Sequence, residues 1–312
     1  MLNLTAADRP TMYFVGVTTG QSSIMQVFPR WMEALGLDGC IRGIDLPIHA
    51  PAEDYRAVVE FIRDDPLSLG ALVTTHKLDM YTAAKDLFDY RDPYAEMFGE
   101  LSSLSKRDGR LCAHAKDPIS SGLTLDSFLP RDHWKNTGAQ VCILGAGGSA
   151  LSMSAYLAGD KHGDNVPACI HLCNRSAPRL AEALLKLKDS RVPLVCHLTG
   201  DNPALNDAVI GALPAGSLVV NATGLGKDRP GSPITDACRF PEKGIVWELN
   251  YRGSREFMHQ AEAQRAERGL QIEDGWTYFI HGWTQVIAEV FHVDITGERL
   301  ALCDTIARNM RK

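Results

Sequence analysis

Val141-Cys142-Ile143-Leu144 runs directly into Gly145-Ala146-Gly147-Gly148-Ser149-Ala150 and then into a helical pattern. A GxGxxG/A run between a strand and a helix suits a dinucleotide pyrophosphate. Gly145 permits the tight turn, Gly147 lets backbone amides approach the phosphates, and the helix start offers orphan N–H groups at the positive end of the dipole. A glycine-rich turn that binds nothing has the same letters. One strand later, where an NAD enzyme would aim a carboxylate at the ribose 2′-hydroxyl, stand Asn174-Arg175-Ser176. A guanidinium pairs bidentately with a 2′-phosphate that a carboxylate would repel, so the expected cofactor is NADP. Arg175 also reads as a solvated arginine at a strand end. The interval from Gly145 to Asn174 exceeds the usual ~20 residues, and the polar stretch Gly159 to Asn165 explains it as a surface loop.

Asn221-Ala222-Thr223-Gly224 closes another apolar strand at its carboxyl end, where open α/β sheets take ligands. Thr223 is thereby a candidate contact to the nicotinamide half, although a plain turn after a strand fits as well. Tyr81-Thr82-Ala83-Ala84-Lys85 spells a YxxxK motif, but it precedes the glycine turn and reads as coincidence.

The elements that must position these residues are legible as alternating apolar runs and helical patterns. Strand candidates at Val141–Leu144, Ala168–Cys173, Leu194–Leu198, Leu218–Asn221 and Ile245–Leu249 predict a doubly wound sheet. Tyr13–Val17, Ile24–Leu37, Tyr55–Ile62 and Leu69–Val73 give a βαβ rhythm ahead of it. The segment Trp276–Met310 has helical spacing and is expected to return to the first domain. With 312 residues, 45% of them hydrophobic, two domains are expected at roughly 100–200 residues each.

Charge and cysteine usage exclude other classes. The 32 Lys plus Arg against 38 Asp plus Glu give a net charge of -6, unsuited to nucleic acid. The sequence shows neither a secretory signal nor an apolar run near the ~20 residues of a membrane span. The 8 cysteines have no CxxC pair and read as thiols in a reducing, cytoplasmic compartment. No metal-ligand spacing is present.

Six landmarks fall in an order that resembles the shikimate dehydrogenase family: Val73-Thr74-Thr75-His76-Lys77, Gly99 to Leu104, Asp117, the glycine turn with Asn174-Arg175-Ser176, Asn221 to Gly226, and Asp274-Gly275 leading to His281. The resemblance implies an α/β protein with an N-terminal α/β substrate domain over residues 1–120, completed by helices in 276–312, and a Rossmann-type doubly wound NADP-binding domain over 121–275. It implies an oxidoreductase of aromatic amino acid biosynthesis acting on a small molecule, with Lys77 and Asp117 as the proton-transfer pair. A lysine ammonium can give the hydroxyl proton and stabilise a developing alkoxide, and an adjacent carboxylate favours its charged form. Without the family, Lys77 is a surface lysine, and Asp117-Pro118 is a helix start with Asp as N-cap and Pro at the first position. A homodimer is compatible with the sequence, which does not set the oligomeric state.

The match fails where the family reads its substrate. Its Ser-x-Ser-Pro anchor is Gly20-Gln21-Ser22-Ser23 here, so Ser22 or Ser23 could bond a carboxylate or cap the following helix. The Asn, Thr and Pro ahead of the catalytic lysine become Ala71, Val73 and Thr75; Ala-Val-Asn-Thr becomes Glu100-Leu101-Ser102-Ser103; Asn-Thr-Asp becomes Ala115-Lys116-Asp117. The Gln after His281 is Gly282, with Gln285 as a shifted stand-in. Expected ligands of the ring are Ser22, Ser23, Thr75, Ser102 and Gln285. Changing several hydrogen-bonding groups changes the substrate, so an NADP-dependent alcohol/ketone oxidoreductase with altered specificity is expected. The alternatives are an ordinary shikimate dehydrogenase and a nucleotide-binding regulator without turnover.

Overall fold

The computed structural model describes residues 4–227 and 229–311. The chain divides into two compact units, one running up to Lys116 and resuming at Gly282, the other spanning Asp117–His281.

In the first unit, β1 (Thr11–Gly16) is buried along its whole length and lies between β2 (Cys40–Asp45) and β3 (Ser68–Val73), parallel to both. The helix Ile24–Leu35 buries Ile24, Val27, Phe28, Trp31, Met32 and Leu35, an apolar stripe at helical period. Trp31 Nε1 donates to Cys303 O at 2.8 Å, which pins the C-terminal helix Gly297–Asn309 to it. The helix Ala52–Asp64 buries Tyr55, Val58, Val59 and Ile62 in the main core of this unit. β4 (Tyr90–Arg91), β5 (Ser103–Arg107) and β6 (Arg110–His114) complete the sheet in the order β2-β1-β3-β5-β6-β4. β5 and β6 form a hairpin closed by Asp108 and Gly109, both at positive φ (53° and 73°), as a two-residue Asp-Gly turn requires.

The second unit is a wholly parallel sheet of β7 (Val141–Leu144), β8 (Ile170–Asn174), β9 (Leu194–Leu198), β10 (Leu218–Asn221), β11 (Ile245–Glu248) and β12 (Gln271–Glu273). Its order, β12-β11-β10-β7-β8-β9, reverses direction between β7 and β10. That is the switch point where a doubly wound sheet opens a crevice beyond its carboxyl ends. Leu144 and Asn221 end the two strands in register. β12 continues the expected five strands by one.

Among the described residues no helix is long and apolar enough to cross a membrane. All eight cysteines are free thiols.

Candidate functional site

The two outer glycines of the turn after β7 answer different demands. Gly145 has φ +122°, and a Cβ there would lie 2.8 Å from the Ala222 carbonyl oxygen, so the turn requires glycine. Its N–H donates to Cys173 O at 2.7 Å. Gly147 is exposed, and a Cβ there would meet nothing within 4 Å. It is the N-cap of the helix Gly148–Leu157 and makes no side-chain cap bond. The bond from Leu151 N to Gly147 O, 3.0 Å, opens the helical ladder and leaves the N–H groups of Gly148, Ser149 and Ala150 at the helix mouth. Ala146 is buried. Donors, open space and a positive dipole end fit an anion.

At the end of β8, Asn174 Oδ1 accepts from Ser176 N at 2.8 Å, and Ser176 Oγ caps the helix Ala177–Lys186 by accepting from Arg179 N. Those side chains set the turn that projects Arg175 outward. Arg175 Nη1 is 3.7 Å from Asp201 Oδ1, and both side chains are mostly exposed. Such a pair contributes under about 1 kcal/mol and leaves the guanidinium available to an anion.

The loop after β10 is held from beneath. Asn221 is fully buried; its Nδ2 donates to Glu248 Oε2 at 2.8 Å, and its Oδ1 accepts from Thr223 N at 3.1 Å and Thr223 Oγ1 at 2.7 Å. Thr223 Oγ1 accepts from Leu225 N at 3.1 Å across Gly224, which has φ +74°. Glu248 Oε1 accepts from Asn250 N at 2.9 Å, and Asn250 Nδ2 donates to Leu225 O at 2.9 Å. Burial pushes the Glu248 carboxyl up to about 7, against the opposing pull of the Asn250 and Asn221 donors and of Arg255. Sequence reasoning missed Glu248, although a carboxylate within the apolar strand Ile245–Leu249 is a signal in itself.

In the first unit, Lys77 opens the helix Lys77–Ala84, half-buried, directly after β3. The connection is a tight γ-type turn with His76 N donating to Thr74 O at 2.5 Å across Thr75. Thr75 therefore sits at φ +61°, a left-handed conformation that strains a β-branched residue. His76 is buried with Nδ1 3.0 Å from Tyr55 OH, which anchors the turn. Lys77 O accepts from Leu101 N at 3.3 Å. The next residue, Ser102, clamps two strand ends and the segment that follows one of them: its O accepts from Val73 N at 2.9 Å, its N donates to His114 O at 2.9 Å, and its Oγ accepts from Lys116 N at 2.8 Å.

Ser23 is the N-cap of the helix Ile24–Leu35 yet makes no side-chain cap bond, and it is exposed; Ser22 beside it is half-buried. Gln285 is half-buried on the helix Trp276–Phe291, one turn after Gly282, where a Cβ would meet nothing within 4 Å. Helical side chains lean towards the N-terminus, so Gln285 overhangs the turn that Gly282 leaves bare. Asp117 falls in the second unit, half-buried as the first residue of the helix Asp117–Phe128, with its carbonyl accepting from Ser121 Oγ at 2.7 Å. The helix thus starts at Asp117 itself, one residue before the expected Pro118.

No family model matches the chain. The shikimate dehydrogenase (NADP(+)) of Sphingopyxis alaskensis is 29% identical over 285 residues, 90% of each chain. That of Streptococcus thermophilus is 30% identical over 166 residues, so the match spans about half of either chain (53%). Among solved structures, the quinate dehydrogenase of Corynebacterium glutamicum in complex with NAD superposes with a TM-score of 0.76 at 19% identity, covering 97% of this chain and 100% of that one. A shikimate 5-dehydrogenase from Listeria monocytogenes gives 0.74 at 16% identity, covering 98% and 99%. Over 80–90% of its length the chain is thus similar to proteins named shikimate dehydrogenase (NADP(+)), and it shares the fold of the solved shikimate and quinate dehydrogenases.

The departures from the shikimate dehydrogenase pattern have structural counterparts. Ala71 is fully buried in β3. Ser102 Oγ faces the backbone of Lys116. Lys116 turns its ammonium to Glu289, Nζ to Oε2 at 2.5 Å, while Glu289 Oε1 lies 3.3 Å from His114 Nε2. Nothing in the spacing of Lys116, His114 and Glu289 announced that cluster.

Proposed function

We propose that the chain is an NADP-dependent oxidoreductase interconverting a secondary alcohol and a ketone on a polyhydroxylated cyclic acid or a related ring, through a pocket altered from that of its shikimate dehydrogenase relatives. The observation that carries this reading is the Gly147 turn, which combines space and helix-mouth N–H donors at the switch point of a doubly wound sheet. Gly145, Ala146, Gly147, Gly148, Ser149 and Ala150 would receive the pyrophosphate, Arg175 beside Asn174 and Ser176 the 2′-phosphate, and Asn221, Thr223 and Gly224 the nicotinamide half. That half supplies the two-electron acceptor or donor.

Lys77 gives or takes the proton at the reacting oxygen, and Asp117 favours the charged lysine; both assignments are carried over from the family motif. Ser22, Ser23, Thr75, Ser102 and Gln285 are the candidate ring ligands. The partner is a small molecule, not nucleic acid, and the uniformly free cysteines support a reducing, cytoplasmic setting. A homodimer is supported by the open edge at β9, where Val195 and Leu198 are exposed.

A turnover screen of cyclic polyols and hydroxy acids with NADP and NAD tests the proposal. Oxidation of at least one ring substrate, faster with NADP, is expected. Absence of turnover with all of them would leave a nucleotide binder. The second reading, a shikimate dehydrogenase proper, is favoured by the 29% identity over 90% of a protein so named, and efficient use of shikimate would establish it.

A further inference from the structure

Glu248 is a fully buried carboxylate to which the proposed chemistry gives no role. Each of its oxygens faces an N–H donor: Asn221 Nδ2 at 2.8 Å from Oε2 and Asn250 N at 2.9 Å from Oε1. That arrangement suits a carboxylate, which only accepts; protonation of either oxygen weakens the acceptor that one of the two donors faces and adds an O–H that must find a partner of its own.

The consequence runs through Asn221, because an amide has one donating and one accepting end. With Nδ2 turned to Glu248, Oδ1 is turned to Thr223, whose N–H and hydroxyl both donate to it at 3.1 and 2.7 Å. Thr223 Oγ1 then accepts from Leu225 N at 3.1 Å, and Asn250 Nδ2 holds Leu225 O at 2.9 Å. Reversal of the amide would put its NH2 against the Thr223 N–H and break both turn bonds. The glycine turn would feel the change, since Ala222 N donates to Leu144 O at 2.8 Å and a Cβ on Gly145 would touch Ala222 O.

We infer that Glu248 is a positioning residue of the cofactor site: as a carboxylate it fixes the amide orientation of Asn221, and through it the loop from Asn221 to Gly226, so that proton uptake by Glu248 unlatches the loop. The inference rests on the proposed nucleotide reading. Burial, opposed by the two N–H donors and by Arg255, brings Glu248 to about 7, so the latch changes state near neutral pH. The charged group facing Glu248 is Arg255, which is 3.4 Å from Asp274; Asn221 and Asn250 do not titrate.

The test compares the full-length wild-type protein with Glu248→Gln between pH 6 and pH 8. In NADPH titrations, the wild-type Kd is expected to rise about tenfold from pH 8 to pH 6, the ratio of ionised fractions for a group titrating near 7. Glu248→Gln should bind weakly and without that change; the titration of the nucleotide's own 2′-phosphate is common to both proteins and cancels. Amide hydrogen exchange of residues 223–226 without nucleotide, corrected for intrinsic rates, should quicken at pH 6 in the wild type and be fast at both pH values in the variant. Thr223→Val keeps the buried carboxylate but removes the hydroxyl link, so it should show faster loop exchange and a smaller pH effect, and it decides the matter if Glu248→Gln does not fold. Identical pH profiles for wild type and variants in both readouts would overturn the inference. If the wild type binds no NADPH at any pH, the nucleotide reading falls, and the exchange measurement alone decides whether Glu248 latches the loop.

Discussion

The Lys116 ammonium lies 2.5 Å from Glu289 Oε2, and both side chains are largely buried. Burial alone would raise the Glu289 carboxyl, but Lys116 and then His114 bring it below the ordinary carboxylate range. A depressed carboxylate contributes stability above its unfolded value, about 4.3, and loses it as pH falls through the folded value. Glu289→Gln, which removes the carboxylate facing the largely buried Lys116 ammonium and His114, should cost roughly 3 kcal/mol in urea unfolding at pH 7. Replacing Lys116 and Glu289 together by Met should cost less than either single change.

Shikimate should be a poor substrate. Ala71 has no hydrogen-bonding group, Ser102 Oγ serves the Lys116 backbone, and Lys116 serves Glu289. A kcat/KM for shikimate with NADP well below about 10⁴ M⁻¹s⁻¹, the lower end for enzymes on their own substrates, is expected. A value above it would show that this pocket reads shikimate after all.

Lys77→Ala should lower kcat on the true substrate by roughly 10² to 10⁴ while leaving the NADP Kd nearly unchanged. Asp117→Asn should also slow turnover, and the double variant should lose less than the product of the single losses. A Lys77→Ala enzyme with unchanged kcat would remove Lys77 from the chemistry.

Arg175→Asp should reverse the preference for NADP over NAD. Because Arg175 is exposed and only loosely paired with Asp201, the variant should keep its thermal midpoint, which separates a cofactor effect from a folding effect. Equal NADP and NAD affinities in the parent protein would defeat the assignment.

The two outer glycines of the turn should part company. Gly145→Ala forces a Cβ against Ala222 O at a φ that L residues avoid, so it should lower stability by more than 1 kcal/mol. Gly147→Val should leave the unfolding midpoint nearly unchanged and weaken NADP binding tenfold or more, because its side chain would occupy the space in front of the helix mouth. Unaltered NADP affinity in Gly147→Val would place the pyrophosphate elsewhere.

The second unit was legible in the sequence because a parallel strand buried on both faces writes a continuous apolar run, as Val141–Leu144 and Leu218–Val220 do. β12 and β4 are too short to show a period. The β5–β6 hairpin was hidden by its polar letters, Ser103, Ser105 and Lys106, even though Asp108-Gly109 is a strong hairpin signal. Gly145 could be read because a backbone demand is met by one residue type alone. Glu248 and Glu289 could not be given roles, because their meaning lies in partners brought close only by folding: Asn221 in one case, His114 and Lys116 in the other.

The left-handed backbone at Thr75 bears on the paths by which this chain could change. A pyrrolidine ring holds φ near −65°, whereas Thr75 stands at +61°. Placing the family motif's proline at this position is therefore not a one-letter change: the turn between Thr74 and His76 must first be rebuilt, or the imino acid cannot be seated. Directed evolution towards the relatives' specificity should accordingly find Thr75→Pro late and only on backgrounds already altered nearby, an order of events that sequencing of successive rounds would record.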